Sequence, residues 1–484
     1  MEPKLSVSSF QEVVLPRRSL SASFRYGSFV NRVSSVERIG PPVVSPARGY
    51  VAIAVLCYVN LLNYMERYTV AGVLLNIQQF FDISDSTAGL LQTVFICSFL
   101  LFAPLFGYLG DRYNRKYIMI GGLIVWLITA LCSSFVTENL FWLLMLMRSL
   151  VGVGEASYST LAPTIIGDLF TGTKRSIMIS AFYIFIPVGS GLGYISGASI
   201  ASLTGDWRWA LRITPILGVI GLVLLALLCP NPPRGAVESH AMTDCCCNMF
   251  SLFSKSFVWS TLGVTALAFL AGALAFWTPT FLSRAQVAAG VVQPCTMEPC
   301  NSTDSYIFGG ITVVTGILGV CIGAGLSRFF RNRVGYADPV ICAVGMLGSV
   351  PFLIATIFTA SVSIPAAYVF IFLTEIMLSM NWPILADILL YVVVPTRRGS
   401  AEALQITVGH LLGDAGSPYL LGVISDAIKN SNPVSHEWSF LSLKYGFLIC
   451  PFVGVLGGVF FLMTAVYITE DKKAALQLIQ GKPA

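Results

Sequence analysis

Charge is what this chain has least of. Of its 484 residues, 11% are Asp, Glu, Lys or Arg and only 3 are His. Soluble domains carry about a quarter charged residues. With 55% hydrophobic residues and a mean hydropathy of +0.77, a soluble fold could not hide the apolar surface. A polytopic membrane protein is therefore expected. The net charge of +5 is no nucleic-acid signal, because seven of the 29 basic residues lie before residue 50 and most others fall in short loops. No apolar h-region follows Met1, so no cleaved signal peptide is expected and the first span must direct insertion. His and Cys show no metal-ligand spacing, and no nucleophile–base pair stands out. Neither a metal, nor another cofactor, nor an enzyme is expected.

What is present is long apolar runs. They fall near 50–75, 87–110, 117–136, 140–166, 177–203, 209–230, 257–283, 304–327, 338–360, 364–394, 402–428 and 441–468. Each can cross about 30 Å of hydrocarbon as a helix. The reading is an all-α polytopic membrane protein with twelve transmembrane helices in two six-helix halves. Its parts are a disordered cytoplasmic tail (1–46), an N-terminal half (48–230), a cytoplasmic linker (231–256) opened by Pro230, Pro232 and Pro233, a C-terminal half (257–470) and a cytoplasmic tail (471–484). An even span number puts both termini on one side. With the termini and even-to-odd loops assigned to the cytoplasm, that side holds 22 of the 29 Lys and Arg, as the positive-inside rule asks.

Cysteine chemistry tests that topology. Cys295 and Cys300 share a loop with the sequon Asn301-Ser302-Thr303. A glycan on Asn301 and a disulfide between those cysteines both need the oxidising side. Cys245-Cys246-Cys247 falls on the reducing side, where palmitoylation and unmodified thiols are both open readings.

The loop Gly107-Tyr-Leu-Gly-Asp111-Arg112-Tyr-Asn-Arg115-Lys116 packs four charges between two apolar runs. Asp111, Arg112, Arg115 and Lys116 are expected to latch a cytoplasmic gate. A degraded copy, Gly323-Ala-Gly-Leu-Ser327-Arg328-Phe-Phe-Arg331, recurs 216 residues later with Ser327 in the position of Asp111. Arg397 and Arg398 are expected to serve the second gate.

Ionisable groups inside spans are costly and mark function. Span 1 carries Asn60, Glu66 and Arg67, and span 4 carries Arg148 and Glu155. Arg148 and Glu155 share one helix face but lie too far apart to bond. A network of Glu66, Arg67, Arg148 and Glu155 is therefore expected, against a plain structural ion pair. Glu375 in span 10 has no basic neighbour in its own helix; it either carries a proton or pairs with Arg284. Asp387 is readable as solvated, and His410 as a packing residue or a proton relay. Gly189, Gly193 and Gly197, and Gly319 with Gly323, are small-residue faces. Pro187 and Pro418 are expected to kink their helices.

The gate loop resembles the loop-2/3 signature of the major facilitator superfamily. Six segments in order narrow the likeness: Asn60-Leu-Leu-Asn-Tyr-Met-Glu66-Arg67, the gate loop, Arg148-Ser-Leu-Val-Gly-Val-Gly-Glu155-Ala-Ser-Tyr-Ser159, Ile186-Pro-Val-Gly-Ser-Gly-Leu-Gly-Tyr, Leu378-Ser-Met-Asn-Trp382 and Gly413-Asp-Ala-Gly-Ser-Pro-Tyr. They resemble the Spinster family of sphingolipid and lysophospholipid transporters over roughly residues 48–470. The resemblance implies an amphiphile carrier working by alternating access, as a uniporter or driven by protons. It implies a head-group site drawn from Asn60, Glu66, Arg67, Arg148, Ser159, Arg284, Thr312 and Glu375, with Glu66, Glu155 and Glu375 as proton carriers. Family members have Asp where this chain has Glu66, so the carboxylate reaches one methylene further. The expected partners are a lipid amphiphile, the bilayer and protons, and the expected state is a monomer in the plasma membrane or an endosomal–lysosomal membrane. Two other readings stay open: a facilitator for a small polar solute such as a sugar or organic anion, and a non-transporting membrane receptor or scaffold.

Overall fold

A computed structural model describes residues 45–170, 172–232, 254–295, 303–331, 333–393 and 398–479. All regular structure among them is helical. Residues 47–484 form one compact unit, and the expected tail 1–46 lies almost wholly outside the described residues.

The helices follow the apolar runs. They are α1 (Pro46–Gly72), α2 (Leu74–Phe81), α3 (Asp85–Arg112), α4 (Arg115–Ser133), α5 (Phe141–Leu169), α6 (Gly172–Thr204) and α7 (Arg208–Leu228). After the linker come α8 (Lys255–Ala288), α9 (Thr303–Arg331), α10 (Ala337–Thr359), α11 (Ile364–Ser379), α12 (Trp382–Val392), α13 (Arg398–Leu412), α14 (Gly416–Asn430), α15 (His436–Phe447) and α16 (Ile449–Ile479). Local chemistry sets several starts. Ser84, Asn114 and Ser254 each accept a backbone N–H of the first turn of α3, α4 and α8. Gly205 takes φ +72° in the turn from α6 into α7.

Eleven helical stretches among the described residues are long and apolar enough to cross a membrane. The expected run 402–428 appears instead as two 15-residue helices, α13 and α14, parted at residues 413–415. Together they supply the length that neither has alone. The run 364–394 is likewise broken into α11 and α12 at Met380 and Asn381. Pro187 lies inside one uninterrupted helix, α6. Pro418 lies in the first turn of α14, where its missing N–H costs nothing. The break in span 11 therefore precedes Pro418 rather than following from it.

Two large apolar clusters hold the helices. One centres on α8, α10, α11, α12 and α16, with Trp277, Phe281 and Phe461 fully buried. The other centres on α1, α3, α4 and α5, with Phe95, Trp126 and Tyr158 fully buried. Between the first seven helices and the rest, backbone meets backbone. A Cβ on Gly191 of α6 would lie 2.4 Å from the Gly309 carbonyl oxygen of α9, and one on Gly309 would lie 2.5 Å from that of Gly191. On the other flank, a Cβ on Gly89 of α3 would lie 2.5 Å from the Pro418 oxygen, and one on Gly422 of α14 would lie 2.4 Å from that of Asp85.

A buried charge layer as candidate transport site

Arg148 of α5 is 1% exposed, and its Nη1 donates to Glu66 Oε1 of α1 at 2.5 Å. Glu66 is equally buried. The expected four-residue network does not close as drawn. Arg67 instead reaches Asp414 Oδ2 at 3.2 Å, in the break between α13 and α14. Asp414 also bonds His410 Nδ1 at 2.8 Å. Glu155, 1% exposed, makes no hydrogen bond among the described residues, although it lies in the field of Arg67, Glu66 and Arg148. The reason is reach. Arg67 follows Glu66 directly, so on a helix the two side chains leave about 100° apart and cannot both face Arg148.

Phe95 of α3, fully buried, completes the layer. The guanidinium of Arg67 stands 5.1 Å from its ring centroid and that of Arg148 5.3 Å. An aromatic face is a neutral partner that two cations can share. Nothing in the one-dimensional pattern set Phe95 apart from the other phenylalanines.

The layer is under-satisfied. Arg148 Nε and Nη2, Arg67 Nε, Glu66 Oε2, Glu155 Oε2 and both amide atoms of Asn63 are buried without a hydrogen-bond partner among the described residues. Buried charge seeks partners because desolvation is expensive. A site with spare guanidinium N–H groups and spare carboxylate oxygens can hold an anionic or zwitterionic group, or a proton.

Asn60 does not offer its amide to that site: its Nδ2 donates to the Phe182 carbonyl at 3.0 Å. Ser159 is half-buried on α5, one turn beyond Glu155. Across the molecule Glu375 of α11 accepts from Thr315 at 2.6 Å and Thr312 at 3.3 Å, both on α9. The alternative pairing of Glu375 with Arg284 is not formed. Arg284, near the end of α8, grips Asp85 with two donors at 2.6 and 2.9 Å. Asp85 is 0% exposed and also accepts from Gln78, Ser425 and Lys429, while the Asp426 carboxylate accepts the backbone N–H groups of Asp85 and Ser86. The sequence reading missed this cluster because Asp85 lies at a span edge, where charge is commonplace.

The gate loop divides its labour. Arg115 pairs with Asp168 at the end of α5, Arg112 stacks 4.5 Å from the Tyr108 ring, Asp111 is exposed, and Lys116 is half-buried. In the second copy, Arg331 pairs with Asp387, so that residue is not merely solvated. Arg331 also bonds Asp338 and Ser327, and Ser327 donates to Asp338 at 2.6 Å. Each copy thus sends its last arginine to an acid on another helix, Asp168 of α5 and Asp387 of α12. Arg397, Asn301, Cys300 and Cys245-Cys247 lie outside the described residues; Cys295 is disulfide-bonded.

Comparison with known proteins agrees with this architecture. Residues 56–418 match the Major Facilitator Superfamily. Protein spinster homolog 3 of Danio rerio is 61% identical over 98% of this chain and 97% of its own length. The sphingosine-1-phosphate transporter SPNS2 of Xenopus tropicalis is 54% identical over 88% of this chain and 83% of its own. A bacterial homolog of the human lysosomal transporter spinster, inward-facing and occupied, superposes with a TM-score of 0.75 at 20% identity, covering 88% and 99% of the two chains. The chain belongs to the spinster family of the major facilitator superfamily, a class of twelve-helix membrane transporters.

Proposed function

We propose that the chain carries sphingolipid- or lysophospholipid-like amphiphiles across its membrane by alternating access. The observation that carries this is the buried, under-satisfied layer of Arg148, Glu66, Arg67 and Glu155, in a chain so similar to a sphingosine-1-phosphate transporter. An alkyl tail partitions into apolar surroundings unaided, so the carrier chiefly lowers the barrier for the head group. The spare N–H groups of Arg148 would receive a phosphate, as guanidinium does elsewhere. Glu66 and Glu155 would receive an amine or a proton, and Glu375, held by two threonines, is the second proton candidate. Asn60, with its amide spent on Phe182, supports the layer rather than the ligand. Uniport and proton coupling both fit, as does a monomer.

The remaining assignments belong to the same reading. Residues 48–230 and 257–470 act as the two moving halves, joined by the linker 231–256. Both termini face the cytoplasm, Asn301 carries a glycan on the opposite face, and the membrane is the plasma membrane or an endosomal–lysosomal one. Replacing Arg148 by Ser removes the guanidinium that bonds Glu66. The expected result, in vesicles reconstituted with equal protein, is loss of flux of a fluorescent lysophospholipid and of sphingosine-1-phosphate. Normal flux would remove Arg148 from the site. Competition by sugars rather than lysolipids would favour the small-solute facilitator.

A further inference from the structure

A small, partly polar cavity lies away from the charge layer. Its volume is about 10 Å³, room for a single water-sized particle, and its wall includes Gly72 and Asn76 at the α1–α2 junction, Thr280 and Ser283 of α8, and Asp304 and Ser305 at the start of α9. Asp304 is 5% exposed. Its Oδ1 accepts from Gln286 at 2.7 Å and from the Tyr368 hydroxyl, while the other oxygen takes no hydrogen bond among the described residues. Among the described residues no Lys, Arg or His pairs with it, and no backbone N–H of its own helix turn bonds to it. A buried carboxylate satisfied on one side only is an unbalanced charge.

The neighbours are unbalanced in the same sense. Asn76, Thr280 and Ser283 are 3%, 1% and 9% exposed, and none makes a side-chain hydrogen bond among the described residues. Most buried helical Ser and Thr of this chain return a bond to a carbonyl one turn back, as Thr261, Thr315 and Thr356 do. Thr280 and Ser283 forgo it while lining the cavity. Ser305 donates to the Gly72 carbonyl at 3.1 Å, which leaves its own lone pairs for another partner.

We propose that this cavity is a sodium-ion site, with Asp304 as its anionic ligand and Asn76, Thr280, Ser283 and Ser305 as neutral oxygen donors. The donor set selects the ion. It is all hard oxygen, which turns away metals that need imidazole or thiolate. It holds one carboxylate, which balances one positive charge, whereas divalent calcium sites gather several. The site also has a consequence for conformation. Its wall comes from the α1–α2 junction on one side and from α8 and α9 on the other, so a bound ion ties these elements together. Sodium therefore stabilises the arrangement in which the ends of α1, α8 and α9 are closed on each other, and depletes the arrangement in which they part.

The test uses the full-length protein in detergent, with Tm followed at constant ionic strength as choline chloride is replaced by NaCl. The expected result is a saturable rise in Tm with sodium, absent with potassium and absent in Asp304→Asn, which keeps an acceptor for Gln286 and Tyr368. Thr280→Val keeps the shape of the wall and removes one donor. It should shift the sodium midpoint by about tenfold, equivalent to about 1.4 kcal/mol. The same midpoints are read by direct binding of radioactive sodium. A wild-type Tm indifferent to sodium, an equal response to potassium or choline, or a full sodium response in both variants would each overturn the site. Because the readout is binding and not lipid flux, failure here leaves the amphiphile reading standing, and the reverse also holds.

Discussion

A single side chain in this membrane protein is defined by its partner, and the partner is seldom near in sequence. Arg67 and Asp414 are 347 positions apart, yet they form an ion pair with each side chain only 11% exposed. Ion pairs on a protein surface count for little, but removing one member of a buried pair strands the other and costs about 3–5 kcal/mol. Asp414→Asn should therefore lower Tm and reduce flux together. The exchanged pair Arg67→Asp with Asp414→Arg should recover part of both losses. Unchanged Tm and flux in Asp414→Asn would show that the pair contributes nothing. That charged residues inside spans belong to the site was legible from the sequence, since charge in hydrocarbon is rare. Which charge meets which was not legible, because helix rotation decides it. Arg67 faces away from Arg148 for no reason beyond following Glu66, and Phe95 enters the layer only because α3 crosses α1 and α5 there.

At the level of elements, apolar runs were enough to locate almost every helix, and glycines explain how closely the helices approach. Gly189, Gly193 and Gly197 of α6 lie against the carbonyls of Leu61, Met65 and Thr69 of α1, one per turn, at 2.7, 2.4 and 3.1 Å from where a Cβ would stand. The pattern of small residues was visible in the sequence, but its target was not. The helix breaks were less legible. Asn381, 0% exposed, turns its amide back to the Met377 and Leu378 carbonyls, and Met380 presses its carbonyl 2.0 Å from a Cβ on Gly323. In the other break, the freed carbonyl of Ala415 accepts from Thr93 of α3 at 2.6 Å. Such breaks persist in a membrane only where neighbours satisfy the backbone. The cross-packing at Gly191 and Gly309 gives a direct test. Gly191→Ala should reduce lipid flux severely, since even one methyl meets backbone. Gly121→Ala, with nothing within 4 Å of its Cβ, should transport normally. Equal behaviour of the two would mean that close α6–α9 packing is unimportant for the cycle.

Over the whole molecule, the polar bonds between the first seven helices and the later ones gather toward one end, around the start of α3, the end of α8 and the end of α14. Asp85 is the hub. It receives five hydrogen bonds from Gln78, Arg284, Ser425 and Lys429, and Asp426 closes on the first two N–H groups of α3. Those N–H groups are unsatisfied by the helix itself and carry its positive dipole end, so a carboxylate is their natural partner. The arrangement is a clasp sealing the face on which α1 ends and α3 begins. Alternating access requires it to release when that face opens. Neutralising the hub with Asp85→Asn leaves Arg284 and Lys429 without their shared anion. The sealed state then loses stability relative to the open one, and a cysteine placed at Thr93, below the clasp, becomes easier to reach. A membrane-impermeant thiol reagent added from that side should therefore label Thr93→Cys faster in the Asp85→Asn background than with Asp85 intact. Labelling from the opposite side should slow, because one population grows at the expense of the other. If both rates rose together, the substitution would have loosened the bundle rather than shifted a two-state balance. If neither changed, the clasp would have no part in gating.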